Sequence, residues 1–430
     1  MNKEILRLAV PNIISNISVP LLSTVDTLLM GRMSAAHLGA VGIGSMIFNF
    51  IYWNFGFLRM GTTGMTAQAF GRNDKQQISD ILGRASMLAF IIAVVIMLLQ
   101  YPLFQLSAYL MNVQTSHNIL VAEYFYTRMW AAPATLALYA IMGWFFGMQN
   151  AMIPLILTIL ANFINIILSA YLVRVQGLGI AGVAWGTVIA QYAALVTAVY
   201  FIIRRYKEYV TRLKIHALTR WMELKLFLSI NKDIFIRTVG LTFAFGFFYS
   251  QSSKTGEIIL AVNVVLLQFL NWMSYGIDGF AYAAESIVGK YHGKKNKVLF
   301  DRAVRYCFAW GMAFALLYML IYILLGSDLL YIFTDKKDII AIAEEYMIWM
   351  IIFPILSFPS YIWDGIFIGL TAVKSMKYSM YIALALYLGA YFLLYPSYEN
   401  HGLWMALLTL MIGRGISQFI MYLRKGSDMQ

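Results

Sequence analysis

The chain has 430 residues, 61% of them hydrophobic and 12% charged, with a net charge of +12. A soluble domain is about half apolar and about a quarter charged, so the composition excludes a soluble helical protein as the leading reading. One cysteine, Cys307, excludes an internal disulfide or a cysteine metal cluster, and the five histidines show no metal-ligand spacing.

In chain order, apolar runs that approach the ~20 residues needed to cross a bilayer as a helix fall at about 8–31, 38–62, 80–104, 118–146, 151–172 and 180–203. After a basic linker they resume at about 233–253, 258–288, 300–325, 339–370, 374–395 and 400–423. The opening MNKEILRLAVPNIIS lacks a small-residue cleavage site, so it reads as the first span rather than a cleaved leader. The expected fold is an all-α membrane protein with twelve transmembrane helices.

Lys and Arg set the orientation. The segments 1–7, 72–84, 204–232, 290–305, 374–377 and 424–425 hold 23 of them, against 5 in the loops on the other side. Both termini are therefore expected in the cytoplasm, with the protein in the cytoplasmic membrane. The basic residues follow topology, and no nucleic-acid partner is expected.

The two halves resemble each other. AEYFYTRMWAAP at 122–133 reads like AEEYMIWMIIFP at 343–354, an offset of 221, and the basic loops GRNDKQQ and GKKNKVL recur in equivalent places. Such an offset near half the chain length indicates an internal duplication. Six spans per copy insert in the same orientation, so two six-helix lobes related by a pseudo-twofold axis along the membrane normal are expected, with a substrate route between them. The expected organisation is an N-lobe over 1–205, a cytoplasmic basic linker over 206–232 and a C-lobe over 233–430.

Polar residues then mark faces within the spans. Asn12, Asn16, Ser23 and Asp26 lie along one face of the first helix. Asn162, Asn165 and Ser169 repeat the pattern in the fifth span, as do Thr187 and Gln191 in the sixth. Amides and hydroxyls also serve simply to pack helices. Charges are harder to place, because each costs roughly 2.5–3.5 kcal/mol at the bilayer centre on insertion scales. Asn271, Tyr275, Asp278, Tyr282 and Glu285 form a stripe in the eighth span; Arg59 lies in the second, Asp364 in the tenth, and Arg128 at a depth comparable with Asp26. Either structural pairing or a role in transport accounts for Arg59, Asp278, Glu285 and Asp364. The 25 Met, 29 Phe, 28 Tyr and 10 Trp residues suit either a cavity for organic cations or lipid-facing surfaces.

LAVPNIISNISVPLLSTVDTLLMGRM, INKDIFIRT at 230–238, YGIDGFAYAAESIVGK at 275–290, WDGIFIGLTAVKSMKYSM at 363–380 and NHGLW at 400–404 together resemble the MATE family of multidrug and toxic compound extrusion transporters, in its DinF-like branch. The resemblance covers nearly the whole chain. It implies a V-shaped cavity between two lobes and export of small organic, often cationic, molecules driven by entry of protons or sodium ions. It makes Asp26 the coupling acid, accompanied by Asn165 and Thr187, with Arg128 the nearby cation able to tune it. Arg59, Tyr275, Asp278, Tyr282, Glu285 and Asp364 become candidates for the substrate cavity or gate.

Many relatives carry a second acid four residues after that asparagine, where this chain has Ser169. A sodium site wants several hard oxygen ligands, usually with carboxylate among them, so protons are the expected coupling ion. No cofactor, metal or catalytic constellation is expected, and the chain does not read as an enzyme. Its expected partners are organic substrates and membrane lipids, and it is expected to act as a monomer. The competing reading is a flippase for a lipid-linked saccharide or another amphipathic lipid. That would favour a strongly cationic cavity, whereas Asp26, Asp278, Glu285 and Asp364 here stand against Arg59, Arg128, Arg237 and Arg414.

Overall fold

The computed structural model describes residues 1–31, 33–111, 113, 115–210 and 218–425, with side chains at 19–28, 35, 115–117 and 425 left aside. Among the described residues there are helices and no strands. In the first half these are α1 (Asn2–Gly31), α2 (Ala35–Asn54), α3 (Phe57–Gly71), α4 (Lys75–Leu98), α5 (Gln100–Leu110), α6 (Thr115–Met129), α7 (Ala132–Gly147), α8 (Met152–Arg174), α9 (Gly179–Arg205) and the short α10 (Lys207–Val210). In the second half they are α11 (Trp221–Lys254), α12 (Glu257–Gly293), α13 (Lys297–Phe333), α14 (Lys337–Gly369) and α15 (Val373–Lys425).

Each expected span falls on helix, though three are not single rods. The 38–62 segment is shared by α2 and α3, and the 80–104 segment runs past the end of α4 at Leu98 into α5. The 118–146 segment is α6 and α7, bent by 50° where Pro133 opens the second helix. Proline has no backbone N–H to donate and its ring crowds the preceding turn, so one straight helix is not available there. The last two expected spans are merged in α15 across a break at Glu399, whose φ of 47° and ψ of −122° are not helical. Eight of the described helices are long and apolar enough to cross a membrane, or nine if the bent pair counts as one.

The chain divides into two compact units. The N-unit is Ile14–Leu228; the C-unit is Met1–Ile13 with Ser229–Gln430. Each repeats the other's backbone devices at a spacing of 222 residues. Left-handed residues stand at Asn73 and Lys295, at Gln149 and Thr371, and at Gly177 and Glu399. After the first of these, Asp74 caps α4 by accepting from the Gln77 N–H, and Asn296 caps α13 by accepting from the Leu299 N–H. The backbone bonds that stop the preceding helices repeat too: Asp74 N–H to Ala69 O, and Asn296 N–H to Tyr291 O. Such left-handed terminations satisfy carbonyls that a helix end leaves open.

The repeat extends to packing. A Cβ on Gly143 would lie 2.3 Å from the Arg59 carbonyl oxygen, and one on Gly365 would lie 2.2 Å from that of Ala281. Only a residue without a side chain lets α7 approach α3, and α14 approach α12, so closely. Lipid is as apolar as leucine, so helices in a bilayer associate through close packing and hydrogen bonds rather than hydrophobic burial, and small residues enable both.

The N-unit core gathers Ile78, Trp144, Phe145, Leu157 and Ala194, with the Trp144 indole N–H donating to the Ile78 carbonyl at 3.1 Å. Large apolar side chains including Phe90, Leu98, Leu324 and Leu393 are exposed. A surface of that kind suits lipid, not water.

Candidate functional site: a polar pair in the N-unit and a charge cluster in the C-unit

In the N-unit, α8 and α9 pack against each other so that Asn165 and Thr187 meet. The Asn165 amide donates to the Thr187 hydroxyl oxygen at 2.9 Å, and that hydroxyl donates to the Val183 carbonyl at 3.3 Å. Both residues are buried, as is Ser169 one turn beyond Asn165. The Asn165 Oδ1 and Ser169 Oγ atoms are buried with no hydrogen-bond partner among the described residues. They are two of eleven such side-chain atoms among the described residues, and they lie one turn apart on α8. Gly186 lets α9 come close here: a Cβ on it would lie 2.2 Å from Ser169 Oγ.

The first helix runs alongside α8 in parallel. Ser15 Oγ donates to Thr158 Oγ1 at 3.0 Å, and the Asn162 amide donates to the Ser18 carbonyl at 3.1 Å. Asp26 lies farther along α1, and its side chain is outside the described residues.

Arg128, near the end of α6, has aromatic company. Its guanidinium donates to the Tyr124 hydroxyl and lies 5.2 Å from the Phe48 ring centroid and 5.5 Å from that of Tyr124. It also acts electrostatically on Tyr52 and Tyr139. Arg59 on α3 sits over the Phe146 ring at 5.8 Å. Guanidinium over an aromatic face is favourable and more so when desolvated. Aromatic rings that would suit a cationic ligand are, at these places, used by the chain's own arginines.

In the C-unit the charges converge. Asp364 on α14 is buried and bound from three directions. Arg237 on α11 and Arg414 on α15 both donate to its Oδ2, while the Gln418 amide donates to Oδ1 at 2.6 Å. Both oxygens are thus engaged, and the two guanidiniums compensate the carboxylate charge. Asp278 on α12 acts electrostatically on Arg237 and Arg414, and Tyr361 does so as well. Tyr282 adds a further interaction with Arg237.

The eighth-span stripe is one helical face, as its spacing requires. Tyr275, Asp278 and Tyr282 are half-buried on α12, Glu285 is fully buried, and Asn271 is exposed. Among the described residues no group of His, Cys, Asp and Glu is arranged to hold a metal ion.

Spacing along the chain did not reveal that Asp364, Arg237 and Arg414 meet, and Gln418 was overlooked. Its position four residues after Arg414, on the same helical face, was a usable signal. Also overlooked was a neutral knot in the C-unit: Asn263 and Asn400 exchange amide hydrogen bonds of 2.7 and 3.1 Å, and the Trp404 indole N–H donates to Asn263 at 2.9 Å.

Comparison with known proteins accords with this geometry. The MatE family model matches residues 11–171 and 234–395, two segments whose starts lie 223 residues apart. The chain is 34% identical to DNA damage-inducible protein F of Escherichia coli K12 over 425 residues, covering 97% of this chain and 91% of that one. It is 24% identical to the probable multidrug resistance protein NorM of Bacillus cereus, covering 94% of this chain and 91% of the relative. Its fold matches an outward-facing multidrug resistance MATE family transporter of the MOP superfamily with a TM-score of 0.89 at 19% identity, over 99% of this chain and 95% of that chain. A MOP superfamily transporter from Pyrococcus furiosus matches with a TM-score of 0.87 at 19% identity, over 99% and 95% of the two chains. The chain belongs to the MatE family and is a multi-pass membrane transporter with the all-helical, two-lobed MATE fold.

Proposed function

We propose that this protein exports small organic molecules, often cations, across the cytoplasmic membrane by alternating access, in exchange for protons moving inward. Family membership carries the export reading, together with relatives named as multidrug resistance proteins. Twelve crossings, both termini in the cytoplasm and a monomeric transporter complete the reading, on the distribution of basic residues and the twelve helical segments.

The observation that carries proton coupling is the pair of buried atoms, Asn165 Oδ1 and Ser169 Oγ, that have no hydrogen-bond partner among the described residues. The α1–α8 contacts join residues 143 and 144 apart, Ser15 to Thr158 and Ser18 to Asn162. Carried on along two parallel helices, a spacing of 143 brings position 26 level with Ser169. At that level α8 presents an acceptor, Asn165 Oδ1, and a hydroxyl, Ser169 Oγ, the two kinds of group that a carboxyl changing its protonation needs. Protonation removes a buried charge, which favours one arrangement of the lobe over the other. Asp26 is the assigned coupling acid, with Asn165 and Thr187 holding its surroundings and Arg128 adjusting its charge.

Asp364 has a different assignment. With two guanidiniums and an amide on its oxygens it serves as a fixed counter-ion within the C-unit, and Tyr275, Asp278, Tyr282 and Glu285 are the candidates for contact with substrate. The same pairing weighs against the flippase reading, because Arg237 and Arg414 are both committed to Asp364 and are faced by a second carboxylate, Asp278.

The test is transport of a fluorescent organic cation by vesicles containing purified protein, under an imposed pH gradient, an imposed sodium gradient, or neither. Transport driven by the pH gradient alone is expected. Sodium-driven transport without a pH gradient would overturn the ion assignment, and lipid scrambling without cation transport would overturn the export reading.

A further inference from the structure

The turn between α3 and α4 and the turn between α12 and α13 are one backbone design built twice. Each has a left-handed residue, Asn73 with φ 56° and Lys295 with φ 54°, followed by the helix cap Asp74 or Asn296. What differs is charge. Residues 72–83 hold Arg72 and Lys75 against Asp74 and Asp80, with no net charge. The matching residues 294–305 hold Lys294, Lys295, Lys297, Arg302 and Arg305 against Asp301, a net charge of +4. All five of those basic residues are exposed. The basic residues that flank the two turns, Arg84 and Lys290, are bound to Glu223 and Glu4 and do not alter the contrast.

Topology does not account for the difference. Equivalent turns of two parallel copies lie on one side of the membrane, and the preference for basic residues on that side makes no distinction between copies. The charge at 295 is also placed at a cost, because a left-handed residue is more readily asparagine, as in the other copy, than lysine. The neighbouring turn repeats the substitution. A Cβ on Gly369, at the end of α14, would lie 2.9 Å from the Gly289 nitrogen, so the α14–α15 turn stands beside the α12–α13 turn. There Lys374 is exposed, where the N-unit has the exposed Met152 at the equivalent place. Among these cations Val298 is 76% exposed, at the position that Gln76 holds in the N-unit. An apolar side chain set among lysines suits the boundary between headgroups and acyl chains better than it suits a water-soluble anion.

We propose that this end of the C-unit binds anionic phospholipid of the cytoplasmic leaflet, with Lys294, Lys295 and Lys297 on the headgroup phosphates, and that the equivalent turn of the N-unit does not. The leaflet follows from the orientation proposed above; the binding does not depend on it. Each basic residue at an anionic lipid surface contributes about fivefold in affinity, so the three lysines together contribute on the order of a hundredfold.

Thermal unfolding of the full-length protein in a neutral detergent tests this, with dioctanoyl phosphatidylglycerol, dioctanoyl phosphatidylcholine or glycerol phosphate added. A ligand that binds only the folded chain raises the unfolding midpoint. Phosphatidylglycerol should raise it by several degrees, phosphatidylcholine by clearly less and glycerol phosphate not at all, and high salt should remove the advantage of the anionic lipid. The triple variant Lys294→Gln, Lys295→Asn and Lys297→Gln should need on the order of a hundredfold more phosphatidylglycerol for the same rise. Lys295→Asn alone, which installs the N-unit's residue in the same turn, should need about fivefold more. Arg72→Gln with Lys75→Gln should respond as the parent does. Equal rises with the two lipids, or an unaltered phosphatidylglycerol response in both lysine variants, overturns the proposal. A rise with glycerol phosphate as large as that with lipid overturns the lipid assignment in favour of a free phosphate. None of these readings involves transport, so a failure of export in vesicles would remove the transport reading and leave this one standing.

Discussion

The N-unit and the C-unit share a backbone plan and little chemistry. Their left-handed turns, helix caps and glycine contacts recur 222 residues apart, and Thr187 has a twin in Thr409, each donating to the carbonyl four residues earlier, yet the other functional side chains have none. At that spacing Asp364, Arg237 and Arg414 correspond to Met142, Ser15 and Tyr192. Where the N-unit has Asn165 and Ser169 with atoms unsatisfied among the described residues, the C-unit has Tyr387 and Tyr391, whose hydroxyls donate to the Ala244 carbonyl and to Gln251. Position 26 corresponds to Phe248, buried against Trp404 with ring centroids 4.8 Å apart. Close backbone approach tolerates almost no change and is kept in both copies. Side chains inside the bundles are held only by the need to be satisfied, so one copy is free to keep polar groups where the other fills the space with aromatic ones.

The largest effect that sharpens this contrast is expected at Asp364. Asp364→Asn leaves two buried guanidiniums without their counter-ion and should lower stability by about 3–5 kcal/mol. Met142→Leu at the equivalent place conserves volume and should cost less than about 1.5 kcal/mol. Thermal unfolding of purified protein in detergent compares the two; equal losses would mean that the C-unit cluster is no more structural than its twin.

The glycine contacts should behave alike in both units, which probes the shared plan. Gly143→Ala and Gly365→Ala each put a Cβ well inside contact distance of a carbonyl oxygen, and overpacking of this kind costs about 1–3 kcal/mol. Similar losses in the same unfolding measurement are expected. A variant that unfolds like the parent in one unit alone would break the equivalence.

The smallest effect is expected at the third left-handed turn. Glu399 holds a positive φ where the first copy has Gly177, and a side chain in that region costs roughly 1–2 kcal/mol. Because glycine also gains freedom in the unfolded chain, Glu399→Gly should raise stability by no more than about 1 kcal/mol. Gly177→Glu should lower it by a similar amount. A loss on Glu399→Gly would show that the glutamate side chain supports the turn.

Much of this was legible beforehand. The twelve apolar segments all lie on helix because length and hydropathy determine what can span a bilayer, and the break between 395 and 400 fell where Glu399 interrupts α15. The duplication was visible as a 221-residue offset, refined by backbone geometry to 222. The bend between α6 and α7 was hidden inside one apolar run, although Pro133 marked it. Helical spacing puts Tyr275, Asp278, Tyr282 and Glu285 on one face of α12, and Asn162, Asn165 and Ser169 on one face of α8. It cannot say which faces meet. The contacts of Asp364 reach 127, 50 and 54 residues along the chain, a pairing decided by tertiary packing.

The central claim is that the coupling chemistry resides in the N-unit alone, and Asp26→Asn tests it most directly. Asparagine keeps the size and hydrogen bonding of the protonated acid but cannot release a proton, and loss of a charge within a membrane span should not unfold the chain. In vesicles under an imposed pH gradient, this variant should be folded and inserted yet show no gradient-driven export of the fluorescent cation. Its substrate binding in detergent should persist without dependence on pH. Export at the wild-type rate would contradict the account and move the search for the coupling acid to Asp278 and Glu285.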